Sequence, residues 1–296
     1  TDIALFLLKN KFKNATKKPF VILMSATMEF DFFKTYFNLS DKNTFEVKGM
    51  SFPIDNHFLS FTPSNYITTC ANMIAKIHKE NKQDLNNKFK NIIVFVFSPV
   101  IAKKIEATFL DKLKNEDYKE EDYKVYILSK MTLTIQENKE LDVETPGIRK
   151  IVISTNIAEV GLTLEGLKYC IDTGLNLSVE FSPDFNCNMV ILKPVSKSSV
   201  AQRKGRVGRK DKGYFYACYT ENTYNELDDY NFSSIIKEDI TDQLLTLIVH
   251  YCGTKIVDFL EPYENSFRIN KLTDPNYKFL SNSRHFNYDD MELLER

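Results

Sequence analysis

The sequence predicts an α/β fold in which helices cover both faces of a mainly parallel sheet. Short, continuous apolar runs alternate with longer stretches of helical periodicity. A strand buried on both faces has no polar side, so it reads as an uninterrupted apolar run. Helices between successive strands make the sheet doubly wound, and we expect it over about residues 90–220. The clearest runs are Phe20–Met24, Asn91–Phe97, Val125–Leu128, Lys150–Ser154 and Tyr169–Asp172.

The segments between these runs predict helices and one projecting hairpin. Ser98-Pro99 starts a helix, because proline is tolerated in a first helical turn. Residues 175–193 alternate apolar and polar side chains around a central Pro-Asp, which is typical of a β-hairpin. Helical periodicity returns beyond Tyr230 and indicates a further, mostly helical segment. The other predicted elements are helices over 2–13, 29–37 and 64–80, a connector with short extended pieces over 45–63 and a strand over Gly213–Tyr219.

Composition excludes several classes of protein. The net charge of −1 over 296 residues excludes a generally basic protein, although eight cations and one anion lie between Lys193 and Lys212. The five cysteines and four histidines are scattered, so we expect no metal site. No apolar run approaches the roughly 20 residues of a membrane span. We therefore expect an intracellular, soluble protein of the cytoplasm, with a viral factory, a virion or the nucleus left open.

The stretch Gln202–Arg209 is the strongest candidate for a functional site. It holds four cations and two glycines in eight residues. If it is helical, Gln202, Arg206 and Arg209 share one face, and two converging arginines suit a polyphosphate. The alternative is a solvated basic helix or an unspecific nucleic-acid patch. Two glycines inside a helix cost roughly 1 kcal/mol each, which favours the phosphate site and a close approach of another surface to Gly205 and Gly208.

A second glycine-containing stretch does not form a phosphate loop. Gly161 and Gly166 have the spacing of a P-loop, but Leu167-Lys168 stands where Lys-Ser/Thr is required. No other stretch supplies this motif. We therefore expect the chain to be a fragment that cannot hydrolyse a nucleotide alone.

Five segments together resemble the superfamily 2 helicases of the DEAH/DExH branch. Ser25-Ala26-Thr27 resembles motif III, and Ser154–Thr163 resembles motif V of cellular DEAH proteins. Gln202–Arg209 is similar to motif VI, especially that of poxvirus-type helicases. The order and spacing of the segments agree over about residues 1–260. A helicase of a large DNA virus would combine the cellular type of motif V with the poxvirus type of motif VI. The two further segments are Asn91–Pro99, at the place of motif IV, and Phe52-Pro53, similar to the Phe-Pro that follows motif III.

The resemblance implies two RecA-like domains that enclose ATP. The P-loop and DEAH box would lie upstream of Thr1, on a domain that also holds most of the Mg²⁺ coordination. Residues 1–55 would then be the C-terminal end of the first domain, 56–230 the second domain, and 231–296 the start of a winged-helix region. The implied activity is ATP-dependent translocation and unwinding, with single-stranded RNA or DNA and the upstream RecA-like domain as partners. No membrane partner is implied, and protein partners, polarity and the choice of RNA or DNA stay open.

The resemblance also assigns roles to single residues. Two positions have other expected roles. Arg203 forms either a phosphate contact or a structural ion pair. Leu141 stands where relatives stack an aromatic ring on adenine. From the residues alone, Thr155 could instead cap a helix, Asn156 make a turn and Glu165 be solvated. The hairpin would act as a wedge or strand guide. The implied roles are catalytic for Gln202, Arg206 and Arg209, nucleotide-binding for Gly161, Thr163 and Glu165, nucleic-acid-binding for Thr155 and Asn156, and coupling for Ser25 and Thr27.

Two other functions remain open. A RecA-like module could bind nucleic acid through its basic surface without turnover. A translocase could hydrolyse ATP and move along a strand without unwinding it.

Overall fold

Six parallel strands form one sheet in the computed structural model. The sheet order is β1-β8-β5-β2-β4-β3, and every neighbouring pair is parallel. The strands are β1 Ile54–His57, β2 Asn91–Phe95, β3 Tyr123–Leu128, β4 Arg149–Ser154, β5 Leu167–Asp172 and β8 Gly213–Ala217. The structure describes residues 4–5, 7–9, 16–17, 20–25, 30–47, 52–114, 122–129, 140–141, 143–159, 164–182, 185, 187–231, 237–239, 242 and 245.

Helices cover both faces of this sheet, as the alternation of patterns predicts. Alternate side chains of one strand enter different core clusters: Ile92 and Val94 of β2 lie in one, Ile93 and Phe95 in the other. The first cluster includes side chains of α2 and α3, and the second includes Val200 of α4. The prediction of a doubly wound, RecA-like α/β sheet is confirmed. The helices are α1 Phe30–Phe37, α2 Tyr66–Glu80, α3 Pro99–Lys114, α4 Lys197–Lys204 and α5 Glu221–Glu226, with 3₁₀ turns at Asp41–Asn43, Lys82–Asn86 and Asn156–Glu159.

A two-stranded sheet forms the predicted hairpin. It pairs β6 Leu175–Ser182 with β7 Cys187–Pro194. So short a connection joins strands only in antiparallel order. Several apolar side chains of the hairpin are exposed, including Val179 and Val190.

One prediction for the N-terminal part of the chain is wrong. Residues 20–25 form no strand of the described sheet, and Phe20, Ile22 and Met24 are exposed rather than buried. An apolar run becomes a strand only when neighbouring strands supply hydrogen bonds, and none of the described strands does so here. The connector predicted over 45–63 does contain a short extended piece, and this piece is β1, an edge strand of the main sheet.

The chain separates into two compact units. One contains residues 1–47, 178–191 and 232–296, and the other contains 48–177 and 192–231. The main sheet belongs to the second unit, and the expected boundary after residue 55 falls inside β1. Most of the segment expected to begin a winged-helix region lies outside the described residues.

Candidate nucleotide and nucleic-acid site

The basic stretch is a helix end followed by an irregular turn. Ser196 caps α4 by accepting a hydrogen bond from the Ser199 N–H at 3.2 Å, and the helix ends at Lys204. Gly205 is the C-terminal cap, and Gly208 has a φ of +71°, which a right-handed helix cannot include. The predicted helical face of Gln202, Arg206 and Arg209 is therefore wrong, because only Gln202 lies within the helix.

Gly208 does allow the close approach predicted from the sequence. The Phe52 N–H donates to the Gly208 carbonyl at 2.8 Å. A Cβ at position 208 would lie 2.6 Å from Cγ1 of Ile54, which is far inside van der Waals contact. The turn is therefore fastened to the segment that enters β1, and only glycine fits there.

The two arginines of the turn differ in exposure but lie near each other. Arg206 is partly buried and donates from Nη2 to the Glu159 carbonyl, whereas Arg209 is exposed and donates from Nε to the Gly205 carbonyl at 2.9 Å. Burial lowers the pKa of Arg206, and the positive charge of Arg209 lowers it further. Two guanidinium groups that repel each other form a site that an anion would stabilise.

Arg203 forms the structural ion pairs that were one of its two expected roles. Its side chain is 0% exposed, and it contacts Glu159 Oε1 and Asp172 Oδ1, each at 2.7 Å. Burial alone would lower the pKa of Arg203, but Asp172 and Glu159 outweigh burial and raise it. The guanidinium is therefore a permanently charged anchor inside the domain.

Thr155 and Asn156 follow directly from the carboxyl end of β4. The Thr155 N–H donates to the Leu128 carbonyl at the end of β3, at 3.2 Å. Asn156 is exposed and begins the 3₁₀ turn Asn156–Glu159. In open parallel sheets, ligands bind beyond this edge, so the position of both residues is compatible with a polymer contact.

Glu165 borders a pocket at the amino ends of the strands. Leu141 lines this pocket together with Glu165. The exposed Lys210 contacts the Glu165 carboxylate at 3.0 Å and lowers its pKa. Leu141 is 4% exposed and offers little surface for stacking. The pocket therefore has a charged rim and an aliphatic wall.

Of the remaining predicted site residues, only one lies within the described part of the chain. Ser25 lies in the exposed segment 20–25, whereas Thr27, Gly161 and Thr163 lie outside the described residues. Within the described ranges, no cluster of three or more His, Cys, Asp or Glu side chains could hold a metal ion. None of the helices in the same part of the chain is long and apolar enough to cross a membrane.

Sequence reasoning missed Glu159 and Asp172, the two carboxylates around Arg203. Asp172 follows the apolar run Tyr169–Ile171 at the end of β5, and a charge at that position was a usable signal. Its partner could not be found by spacing, because β5 and α4 are separated by the hairpin. The Tyr219 hydroxyl donates to Asp172 Oδ2 at 3.0 Å and the Gly174 N–H to Oδ1 at 2.9 Å, so both oxygens of this buried side chain are satisfied.

Comparison with known proteins shows which proteins this chain is similar to. A family model for the helicase conserved C-terminal domain matches residues 70–211. The provisionally named RNA helicase B962L of African swine fever virus is 32% identical over 79% of this chain and 26% of its own length. The human ATP-dependent RNA helicase DHX33 is 29% identical over 77% of this chain and 31% of its own length. The chain thus spans about a quarter to a third of these relatives.

The fold agrees with a solved structure. The Escherichia coli DEAH/RHA helicase HrpB matches with a TM-score of 0.72 and 22% identity, over 86% of this chain and 30% of that one. The matched family region contains β2 to α4, and therefore the motifs at Ser154 and Gln202. The chain carries the helicase conserved C-terminal domain over residues 70–211 and is similar to viral and animal RNA helicases in sequence and to a DEAH/RHA helicase in fold.

Proposed function

We propose that this chain is part of an ATP-dependent helicase that translocates along single-stranded nucleic acid and unwinds it. In this proposal, residues 56–230 are the second RecA-like domain, 1–55 the end of the first, and 231–296 the start of a winged-helix region. Relatives from two viruses and from human are named RNA helicases, so RNA is the first polymer to test.

The pair Arg206 and Arg209 carries this proposal. Their guanidinium groups are close enough for one to lower the pKa of the other. Forked donors of this kind match the oxygens of a phosphate, and charge on a transferring phosphoryl group is stabilised by such residues. We assign Arg206 and Arg209 to the γ-phosphate, together with Gln202 on the last turn of α4.

The pocket beside Glu165 is our candidate for the nucleoside. The Glu165 carboxylate accepts hydrogen bonds from Lys210 and has further lone pairs for ribose hydroxyls. The aliphatic wall at Leu141 offers no aromatic stacking, so discrimination among bases should be weak. Bound Mg²⁺ would assist attack of water on the γ-phosphate, and we expect the preceding domain to hold most of its coordination.

The carboxyl edge of the sheet is our candidate for the strand contact. A hydroxyl at Thr155 and an amide at Asn156 suit sugar and phosphate groups, which carry no base identity. Ser25 and Thr27 remain proposed coupling residues, and the hairpin a proposed strand guide.

The test is ATPase activity of the full-length parent protein, with and without single-stranded RNA or DNA. One of the two polymers should stimulate ATP hydrolysis by the wild type. Arg209→Ala should lower kcat roughly 10³-fold, because a contact to the transition state is lost. Lys197→Ala is the matched control, since it removes a partly exposed cation at the start of α4 that pairs with Asp229.

The outcomes separate the three candidate functions. No turnover by the wild type with any polymer would overturn the enzyme and leave a binding module. Turnover and movement without strand displacement would identify a translocase. Equal losses in Arg209→Ala and Lys197→Ala would remove Arg209 from the phosphate site.

A further inference from the structure

A closed ring of contacts connects Arg203 to the turn that carries Arg206. Arg203 donates from Nε and Nη2 to one oxygen of Glu159, and Arg206 donates to the carbonyl of the same Glu159. The Arg206 N–H in turn donates to the Arg203 carbonyl at 3.1 Å. Moving any one of these three residues therefore moves the other two.

Asp172 fastens this ring to the sheet. It contacts Arg203 Nη1 at 2.7 Å, and both side chains are 0% exposed. The Arg203 guanidinium also lies 5.2 Å from the centre of the Phe95 ring, at the end of β2. A buried charge pair of this kind is stiff, because neither group can exchange its partner for water.

The same guanidinium reaches the base of the hairpin. Nη1 and Nη2 of Arg203 lie 3.5 Å from the carbonyl oxygen of Leu175, the first residue of β6. Asp172 binds the Gly174 N–H, which fixes the two residues before the hairpin. The carboxyl end of β5, the start of β6 and the arginine turn therefore share one buried cation.

We infer that Asp172 is a positioning residue that, through Arg203, holds Arg206 in the geometry required for phosphate contact and connects it to the base of the hairpin. This inference rests on the proposed function, because the phosphate contact is part of that proposal. Asp172 touches no substrate in this arrangement. It acts by restricting where the arginine turn lies.

The test substitutes Asp172→Asn in the full-length parent. Asparagine keeps the shape and one acceptor but removes the charge that holds Arg203. We expect kcat for strand-stimulated ATP hydrolysis to fall roughly 100-fold, as for a misplaced catalytic group, with a smaller change in KM for ATP. Hydrogen exchange should quicken at the amides of Arg206 and Val207, which bond to the carbonyls of Arg203 and Lys204.

Two further variants separate positioning from stability. Ile171→Val shortens a buried neighbour in β5 that packs in the other core cluster, so it should weaken the fold without changing kcat or the exchange of the turn. Tyr219→Phe removes only the hydrogen bond to the second oxygen of Asp172, so its kcat should lie between those of wild type and Asp172→Asn.

The inference and the proposed function fail in different ways. A wild-type parent without turnover overturns the proposed function, whereas the exchange measurement still reports on the turn. Unchanged exchange at Arg206 and Val207 in a folded Asp172→Asn protein overturns the inference. So does a kcat that falls equally in Asp172→Asn and Ile171→Val.

Discussion

Arg149 donates from Nη1 to Nδ1 of His78 at 3.3 Å, and both residues are 0% exposed. An arginine can only donate, so Nδ1 of His78 must be an acceptor and the ring must be neutral. Burial lowers the pKa of His78 to about 4, with Arg149 and Lys82 acting in the same direction and Asp122 against them. The pair therefore binds α2 to the start of β4 only while the imidazole is unprotonated.

Stability should consequently fall on mild acidification. The unfolded chain protonates His78 near its ordinary pKa of 6.5, whereas the folded chain does so only near 4. The contribution of the neutral His78 to the free energy of unfolding is complete above pH 6.5. It decreases by about 3 kcal/mol in total as the pH falls to 4. Urea unfolding of this chain between pH 7.5 and pH 4 measures it.

His78→Asn is the control for this pH effect. An amide oxygen can accept from Arg149 as Nδ1 does, but it does not titrate. The variant should be less stable at neutral pH, because a smaller side chain leaves a void. Its dependence on pH between 6.5 and 4 should be flatter than that of wild type, and an equally steep profile would assign the loss to other groups.

Gly208→Ala should destabilise the domain more than another glycine substitution of similar backbone geometry. The φ of +71° costs about 1–2 kcal/mol for alanine, and overlap of its Cβ with Ile54 adds about 1–3 kcal/mol. Gly147 has a φ of +77° but open space around its Cβ position, so Gly147→Ala should show only the smaller cost. Thermal or urea unfolding compares them, and equal losses would contradict the close approach of β1.

Glu165 should determine recognition of the ribose if our assignment of the pocket is right. A hydrogen bond to a carboxylate contributes about 1.5–3 kcal/mol, so wild-type kcat/KM should favour ATP over 2′-deoxyATP by about tenfold or more. Glu165→Ala should abolish that preference. Lys210→Ala keeps the carboxylate and removes only its ion-pair partner, so it should retain the preference. A preference that survives Glu165→Ala would move the ribose elsewhere.

Cys187 should react with alkylating reagents long before the three buried cysteines that the structure describes. Cys187 is exposed, whereas Cys70, Cys170 and Cys218 are buried. Burial raises the pKa of Cys170, and contact with Cys70 together with burial raises that of Cys218. Only the thiolate is nucleophilic, so native-state alkylation followed by peptide mapping should label Cys187 first. Rapid labelling of Cys170 would show that α4 opens readily from the sheet.

The sequence predicts strands well where burial on both faces removes every polar position. The central runs Ile92–Phe95 of β2 and Ile151–Ile153 of β4 are of this kind, and both strands are buried throughout. The sequence predicts short extended pieces around β1 but not their bounds, because Ile54–His57 is short, half polar and defined by its pairing with β8. The prediction of a buried strand at Phe20–Met24 is wrong because apolar character alone cannot show whether a partner strand is present.

The position of the candidate site was readable, but its geometry was not. The basic stretch was found from its arginines and glycines, whereas helical spacing placed Arg206 and Arg209 wrongly because α4 ends at Lys204. The pairing of Arg203 with Asp172 and Glu159 depends on how β5 and α4 pack, which no local pattern records.

The place of β8 between β5 and β1 has a consequence for synthesis of the chain. Ile54 pairs with Gly213, and nothing else in the described sheet borders β1. Strands β2 to β5 can assemble as soon as they are made, but β1 must wait until β8 has left the ribosome and added to β5. A nascent or truncated chain that ends before Gly213 therefore lacks two strands rather than one, and β1 then stays exposed as a short, unpaired segment.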